Sequence, residues 1–197
     1  MTTGSADAAH PVTAPSDGGG VRLVLPGRTL LLVAGLPGAG KSTLLQSLDA
    51  PAGTRLLDSG AVRTRLARLL PPGTPYPAYR WLTHLLHRSA VVAACLGPAD
   101  TVIVHLPATS ARVRTAVRLL ARACGRAPHL LWLDVPPDLA LRGQRARGRV
   151  VRTRPFARHA ARAEGVGSRV RDGRERGWAS VRSTDRSGAR RGLVLAK

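Results

Sequence analysis

Lysine is almost missing from this chain. Of its 31 Lys and Arg residues only Lys41 and Lys197 are lysine. Acids are scarce too. Only 11 Asp and Glu leave a formal net charge of +20 and a pI near 11.9. A surplus of that size attracts polyanions, and nucleotides, RNA, DNA and acidic proteins all qualify. Aromatic residues make up 3% of the chain, and no strand pair interleaves them with basic residues as an RNA-binding sheet does. The two cysteines, Cys95 and Cys124, lack C-x-x-C spacing and sit in apolar helical runs. They read as small buried hydrophobes in a reducing compartment, with no sign of structural zinc. No apolar run approaches the length of a membrane span, and no membrane partner is expected. The first 20 residues lack the basic and apolar regions of a signal peptide, so a cytoplasmic location is expected.

What is present is a glycine-rich loop in a specific context. Gly35-Leu36-Pro37-Gly38-Ala39-Gly40-Lys41-Ser42-Thr43 fits G-x-x-x-x-G-K-[ST] at every fixed position. Thr29-Leu30-Leu31-Leu32-Val33-Ala34 precedes it as a buried strand, and Leu44-Leu45-Gln46-Ser47-Leu48 continues it as a helix. Glycines at 35, 38 and 40 let the backbone turn tightly and bring N–H groups up to phosphate oxygens. The helix start adds positive dipole at the same place. Lys41 is spaced to reach β- and γ-phosphates, and the Ser42 hydroxyl to join a Mg²⁺ shell. ATP and Mg²⁺ are the cofactors this motif predicts.

Three regions follow from composition. Residues 1–20 read as a disordered leader, 21–163 as one domain, and 164–197 as an Arg/Gly-rich tail with a last edge strand near Trp178–Ser183. Within the domain, Val21–Leu25 alternates like an edge strand. Strands are expected at 54–57, 101–105 and 129–134. Helices are expected over 60–70, with Val62, Leu66, Leu69 and Leu70 on one apolar face, over 79–96, from a Ser110 N-cap to Cys124, and over 137–147. Phe156–Glu164 reads as a short helix and Gly165–Arg176 as a flexible loop. Strands alternating with helices argue for a three-layer α/β/α fold with a mainly parallel five-stranded sheet. Ligands bind such sheets at the C-terminal strand ends. The glycine loop, Asp58, His105 and Asp134 fall there and are expected to share one cleft.

Three pieces resemble the small P-loop kinases: the glycine loop, Leu57-Asp58-Ser59-Gly60-Ala61-Val62-Arg63, and Leu131–Pro136 leading to Arg142-Gly143-Gln144-Arg145-Ala146-Arg147-Gly148-Arg149. Gluconate and shikimate kinases, zeta toxins, chloramphenicol phosphotransferase and polynucleotide kinase domains belong to that group. The chain looks most like the kinase-like proteins labelled AAA-family ATPases. The likeness covers about residues 30–162. It implies a P-loop NTPase fold and transfer of the ATP γ-phosphoryl group to a hydroxyl. Kinases of this group often carry a second acid where this chain has Gly60, and Asp where it has His105.

The candidate site divides by role. Lys41, Asp58, Arg145 and Arg149 are the catalytic candidates, the last two within an arginine lid that also includes Arg142 and Arg147. Ser42 and Asp58 are the metal candidates, and Arg63 the substrate candidate. Each has a plainer reading: Asp58 as a helix N-cap, Arg63 as a surface charge, the lid as a solvated basic face. His105 reads as a structural histidine, and Asp134 as a cap that fixes the turn before the next helix. Tyr76, Tyr79, Trp81, His84 and His87 line an acceptor pocket on one reading, and on the other Trp81, His84 and Leu85 pack inside at helical spacing. The leading expectation is a kinase acting on an unidentified small-molecule or polyanionic acceptor. A nucleotide-binding regulatory module competes with it, and a nucleic-acid-associated protein is a third reading.

Overall fold

The computed structural model describes residues 20–146 and 153–196. The expected leader up to residue 19, and Arg147 and Arg149 of the expected lid, lie outside the described residues.

Strand β2 (Thr29–Gly35) is the axis of the fold. Its residues are apolar almost without interruption because both faces of the sheet are covered, and Leu30 to Ala34 have no exposed surface. On one side β2 pairs in parallel with β5 (Thr101–His105), which pairs with β4 (Thr54–Asp58). On the other it pairs with β6 (Ala127–Leu133), which pairs with β7 (Ser180–Thr184). The order is β4-β5-β2-β6-β7, all parallel, with helices on both faces. The expected three-layer α/β/α sheet is therefore present.

Helix α1 (Lys41–Gln46) leaves the glycine loop. Helices α2 (Ser59–Leu69) and α3 (Tyr76–Leu96) fill the crossover from β4 to β5. Only Leu66 of the expected α2 stripe is buried, where the helix packs on α3; Leu69 is exposed. Helix α3 starts behind Pro75 with Pro77 in its first turn, and stops at Gly97-Pro98. Its last carbonyls are gathered by Arg126, buried with its guanidinium donating to Ala94, Cys95, Gly97 and Asp100. Helix α4 (Ala111–Ala123) follows β5. Ser110 holds the N-cap position but its hydroxyl makes no capping bond, contrary to the expectation. Gly125 then reverses the chain at a φ of +64°. Helix α5 (Pro137–Arg145) follows β6.

The stretch after residue 152 departs most from the sequence reading. Helix α6 spans Thr153–Arg171, straight through the expected loop. Ala163, Val166 and Val170 recur at helical spacing and are buried, which outweighs the poor helix propensity of Gly165 and Gly167. Trp178 is buried ahead of β7. Helix α7 (Arg186–Arg191) and strand β8 (Leu193–Ala196) complete the described chain. Strand β8 lies between β1 (Val21–Val24) and β3 (Leu48–Asp49) in a second parallel sheet of three strands. Residues beyond Ala163, expected as a tail, thus add buried side chains to the same core.

Candidate nucleotide-binding cleft

The glycine loop is tied down on every side. Gly35, at a φ of +142°, donates from its amide to Pro107, and a β-carbon there would sit 2.7 Å from the Leu133 carbonyl oxygen. Gly38 has a φ of +90°, and a β-carbon on it would run into the Ala140 carbonyl of α5. Gly40, at +107°, opens α1 with clear space beside it. No other residue type fits these three conformations without strain. Leu36 and Ala39 are buried in the core beneath the loop, and Gln144 of α5 holds the Pro37 carbonyl at 2.9 Å. Lys41 is buried, with its Nζ 2.8 Å from both the Gly35 and Leu36 carbonyls. Its ammonium therefore closes the loop that carries it.

Facing the loop, Asp58 and His105 end neighbouring strands in register. Asp58 Oδ1 lies 3.0 Å from His105 Nδ1 and accepts the Gly60 amide at 3.0 Å. The close approach of the His105 ring nitrogen, which lacks the angle of a well-formed hydrogen bond, is the main cause that lowers the carboxyl to about 2; burial opposes it, and the Gly60 amide and the His105 charge reinforce it. Asp58 caps α2, as its plainer reading expected, and it also lines the cleft. The cleft is bounded by Gly38, Gly40, Lys41 and Ser42 on one wall, by Asp58, Gly60, Arg63 and Tyr76 on the other, and by His105 and Pro107 at its base. Arg63 stacks its guanidinium 4.3 Å from the centre of the Tyr76 ring. Tyr76 meets Tyr79 edge-on at 5.4 Å.

Other expected members are elsewhere. Asp134 does not cap α5, whose N-cap is Pro136; it pairs with Arg171 of α6 and lines a separate cavity with Leu36, Trp132 and Pro137. Arg142 pairs with Asp138 on the surface at 2.9 Å, and Arg145 is exposed at the end of α5. Tyr79 and His87 are buried, and neither ring nitrogen of His87 has a hydrogen-bond partner. Trp81 and Leu85 are neither in the cleft nor in the core: they are 65% and 53% exposed.

Two sets of residues escaped the sequence reading. Helix α6 brings His159 within 2.9 Å of the Thr109 hydroxyl. Burial first, then the charges of Arg162, Arg158, Lys41 and Arg80, push its imidazole toward the neutral form. His159 is thus within electrostatic reach of Lys41, with Arg158 and Arg162 beside it on α6. On the other flank of the loop, Arg186 and Arg190 of α7 line a cavity with Gly38, Gly40, Thr43 and Gly143. The strand-end argument that singled out Asp58 applies equally to Thr184-Asp185-Arg186; nothing in the pattern around His159 signalled its place.

The residues fit a nucleoside triphosphate with Mg²⁺. The cradle is backbone at Gly38 and Gly40 that a β-carbon would strain or fill, and the oxygens of Ser42 and Asp58 are donors that a hard cation prefers. Among the described residues no group of three or more His, Cys, Asp or Glu forms a cation site.

A parallel α/β sheet with this loop at its centre defines a P-loop protein of the kinase-like kind. The family model described as AAA domain matches residues 30–170, and the chain belongs to that family. Among solved structures it is similar to a provisionally assigned kinase from Chloroflexus aurantiacus, at 18% identity and a TM-score of 0.52, over 80% of this chain and 88% of that one. It is also similar to the tunicamycin resistance protein of Deinococcus radiodurans, at 18% identity and a TM-score of 0.46, over 83% and 90% of the two chains. These likenesses concern the fold. No curated protein matches the chain.

Proposed function

We propose that this protein is an ATP-dependent kinase that phosphorylates a hydroxyl of a small or polyanionic acceptor in the cytoplasm. The observation that carries the reading is the Asp58–His105 pair across one cleft from Lys41 and Ser42. Bound ATP supplies the phosphoryl group, and Mg²⁺ offsets its charge. The amides from Gly38 to Ser42 hold phosphate oxygens. Lys41 exchanges loop carbonyls for phosphate oxygen. Ser42 gives its hydroxyl to the cation. Asp58, ionised at all physiological pH, orients the acceptor hydroxyl or a cation-bound water with the oxygen that His105 does not hold. Arg63, steadied on Tyr76, grips an anionic part of the acceptor. Arg145 and Arg149 close over the phosphates, and Arg158 and Arg162 join them from α6. Arg186 and Arg190 flank the nucleoside side of the loop.

ATP turnover with Mg²⁺ tests this, measured alone and with pooled metabolites and oligonucleotides, for the wild type and Asp58→Ala. Acceptor-dependent ADP release that the variant loses supports the kinase. Tight ATP binding with no acceptor effect in either protein supports the second reading, a nucleotide-binding regulatory module. Gly60 and His105, standing where related kinases carry acids, favour that module. Polynucleotide binding that falls steeply with salt would favour the nucleic-acid reading, which rests only on the net charge of +20.

A further inference from the structure

The outward face of α3 does not suit water. Trp81, Leu85, Ser89, Val92 and Leu96 follow one another at steps of four, four, three and four residues, so they share one stripe about 22 Å long. All are exposed, Leu96 by 70%. The opposite face of α3, with Tyr79, Thr83, His87, Val91 and Cys95, is buried in the fold. The helix is thus apolar both toward the core and toward solvent. Its counterparts carry no such stripe: α4 exposes Leu119 singly among Arg112 and Arg122, and α6 exposes Arg154, Arg158 and Arg162.

The charge on this part of the surface is of one sign. Between Asp58 and Asp100 the sequence holds no carboxylate, while Arg88, beside the stripe on α3, and Arg65 and Arg68 of the neighbouring α2 are exposed. A second copy would set these arginines against their own kind. A nucleic acid would match the charge but leave the apolar stripe wet. A bilayer rich in anionic lipid offers both a uniform negative surface and hydrocarbon just beneath it. We infer that α3 is a membrane-docking helix, which lies flat on anionic lipid with Trp81, Leu85, Val92 and Leu96 in the headgroup–acyl boundary. This association needs no spanning segment, and none of the described helices is long and apolar enough to cross a membrane. Arg88 meets the phosphates at the rim, and Arg65 and Arg68 of the neighbouring α2 add to the same positive field.

The chain carries its own reporter. Of its three tryptophans, Trp132 and Trp178 are buried and Trp81 is exposed. The full chain is titrated with vesicles of phosphatidylglycerol and phosphatidylcholine, and with vesicles of phosphatidylcholine alone. The expected result is co-sedimentation and a blue shift of Trp81 emission on the anionic vesicles only. The double variant Leu85→Gln, Val92→Gln loses about tenfold or more in affinity and keeps its far-ultraviolet circular dichroism and its ATP affinity. The variant Arg65→Gln, Arg68→Gln weakens binding about tenfold too, and more so at about 0.05 M than at about 0.5 M salt. Equal vesicle binding by wild type and the Leu85, Val92 variant would overturn the inference in favour of charge alone. So would the absence of vesicle binding, or a Trp81 shift without vesicles that tracks protein concentration, which would mark a second copy on this face.

Discussion

His105 and Asp58 stand opposite each other at the ends of β5 and β4, with Nδ1 and Oδ1 3.0 Å apart. The pairing with His105 lowers the carboxyl from 3.8 to about 2, so its contribution to stability is fully present above the unfolded value and is lost as pH falls through the folded one. His105→Leu removes the partner and lets the carboxyl rise toward 3.8. The variant is therefore less stable than wild type at about pH 6, and the gap narrows as pH falls from about 4 toward about 2. Urea unfolding at a series of pH values reads it. A gap that stays constant across that window would mean the two groups are not coupled.

Lys41→Ala separates two roles of one ammonium. The loss of bonds to the Gly35 and Leu36 carbonyls costs about 1–3 kcal/mol, read from denaturant midpoints. ATP affinity falls by about a hundredfold or more, read by calorimetry, because a buried cation at the phosphates has no replacement. Wild-type ATP affinity in the variant would place the nucleotide elsewhere.

The sheet was legible because its strands are short apolar runs bounded by Gly and Pro, and β2, β5 and β6 differ from their expected bounds by two residues at most. The glycine loop was legible because its spacing is rare. Helix α6 was not, because Gly165 and Gly167 argue locally against a helix, while Val166 and Val170 gain their burial only from a sheet that is not yet visible in sequence. Asp134 shows the same limit. Its position at a strand end looked like that of Asp58, but its partner, Arg171, is 37 residues away on an element the local pattern hid. Trp81, His84 and Leu85 share helical spacing, as Tyr79, Thr83 and His87 do on the opposite face, and periodicity alone does not say which side of a helix apolar on both meets the core.

Arg126 offers a test of fold without function. Its guanidinium is buried among four carbonyls at the end of α3 and the start of β5. Arg126→Met keeps the volume and leaves those oxygens without their donor. A loss of about 3 kcal/mol is expected in urea unfolding, with ATP affinity unchanged at low denaturant. A loss below about 1 kcal/mol would mean that water satisfies the helix end just as well.

Two glycines one turn fraction apart in α6 should respond with opposite signs. Both lie inside the helix at negative φ, so alanine gains about 1 kcal/mol of helix propensity at either. At Gly165 the nearest atom to an added β-carbon is Arg169 Nη1, 3.8 Å away, and nothing opposes the gain. At Gly167 the same carbon would lie 2.7 Å from Asp134 Oδ1 and 3.1 Å from Arg171 Nη1, inside the ion pair that holds α6 to the end of β6. Relief requires the pair to open or the helix to shift from β6, and either costs about 1–3 kcal/mol, more than the propensity returns. Gly165→Ala should therefore raise the denaturant midpoint and Gly167→Ala lower it. Asp134→Ala removes the obstructing carboxylate, so in that background Gly167→Ala should turn from destabilising to neutral or better. If Gly167→Ala stabilises the wild type as Gly165→Ala does, α6 does not rest on Asp134, and the helix owes its place to its buried face of Ala163, Val166 and Val170.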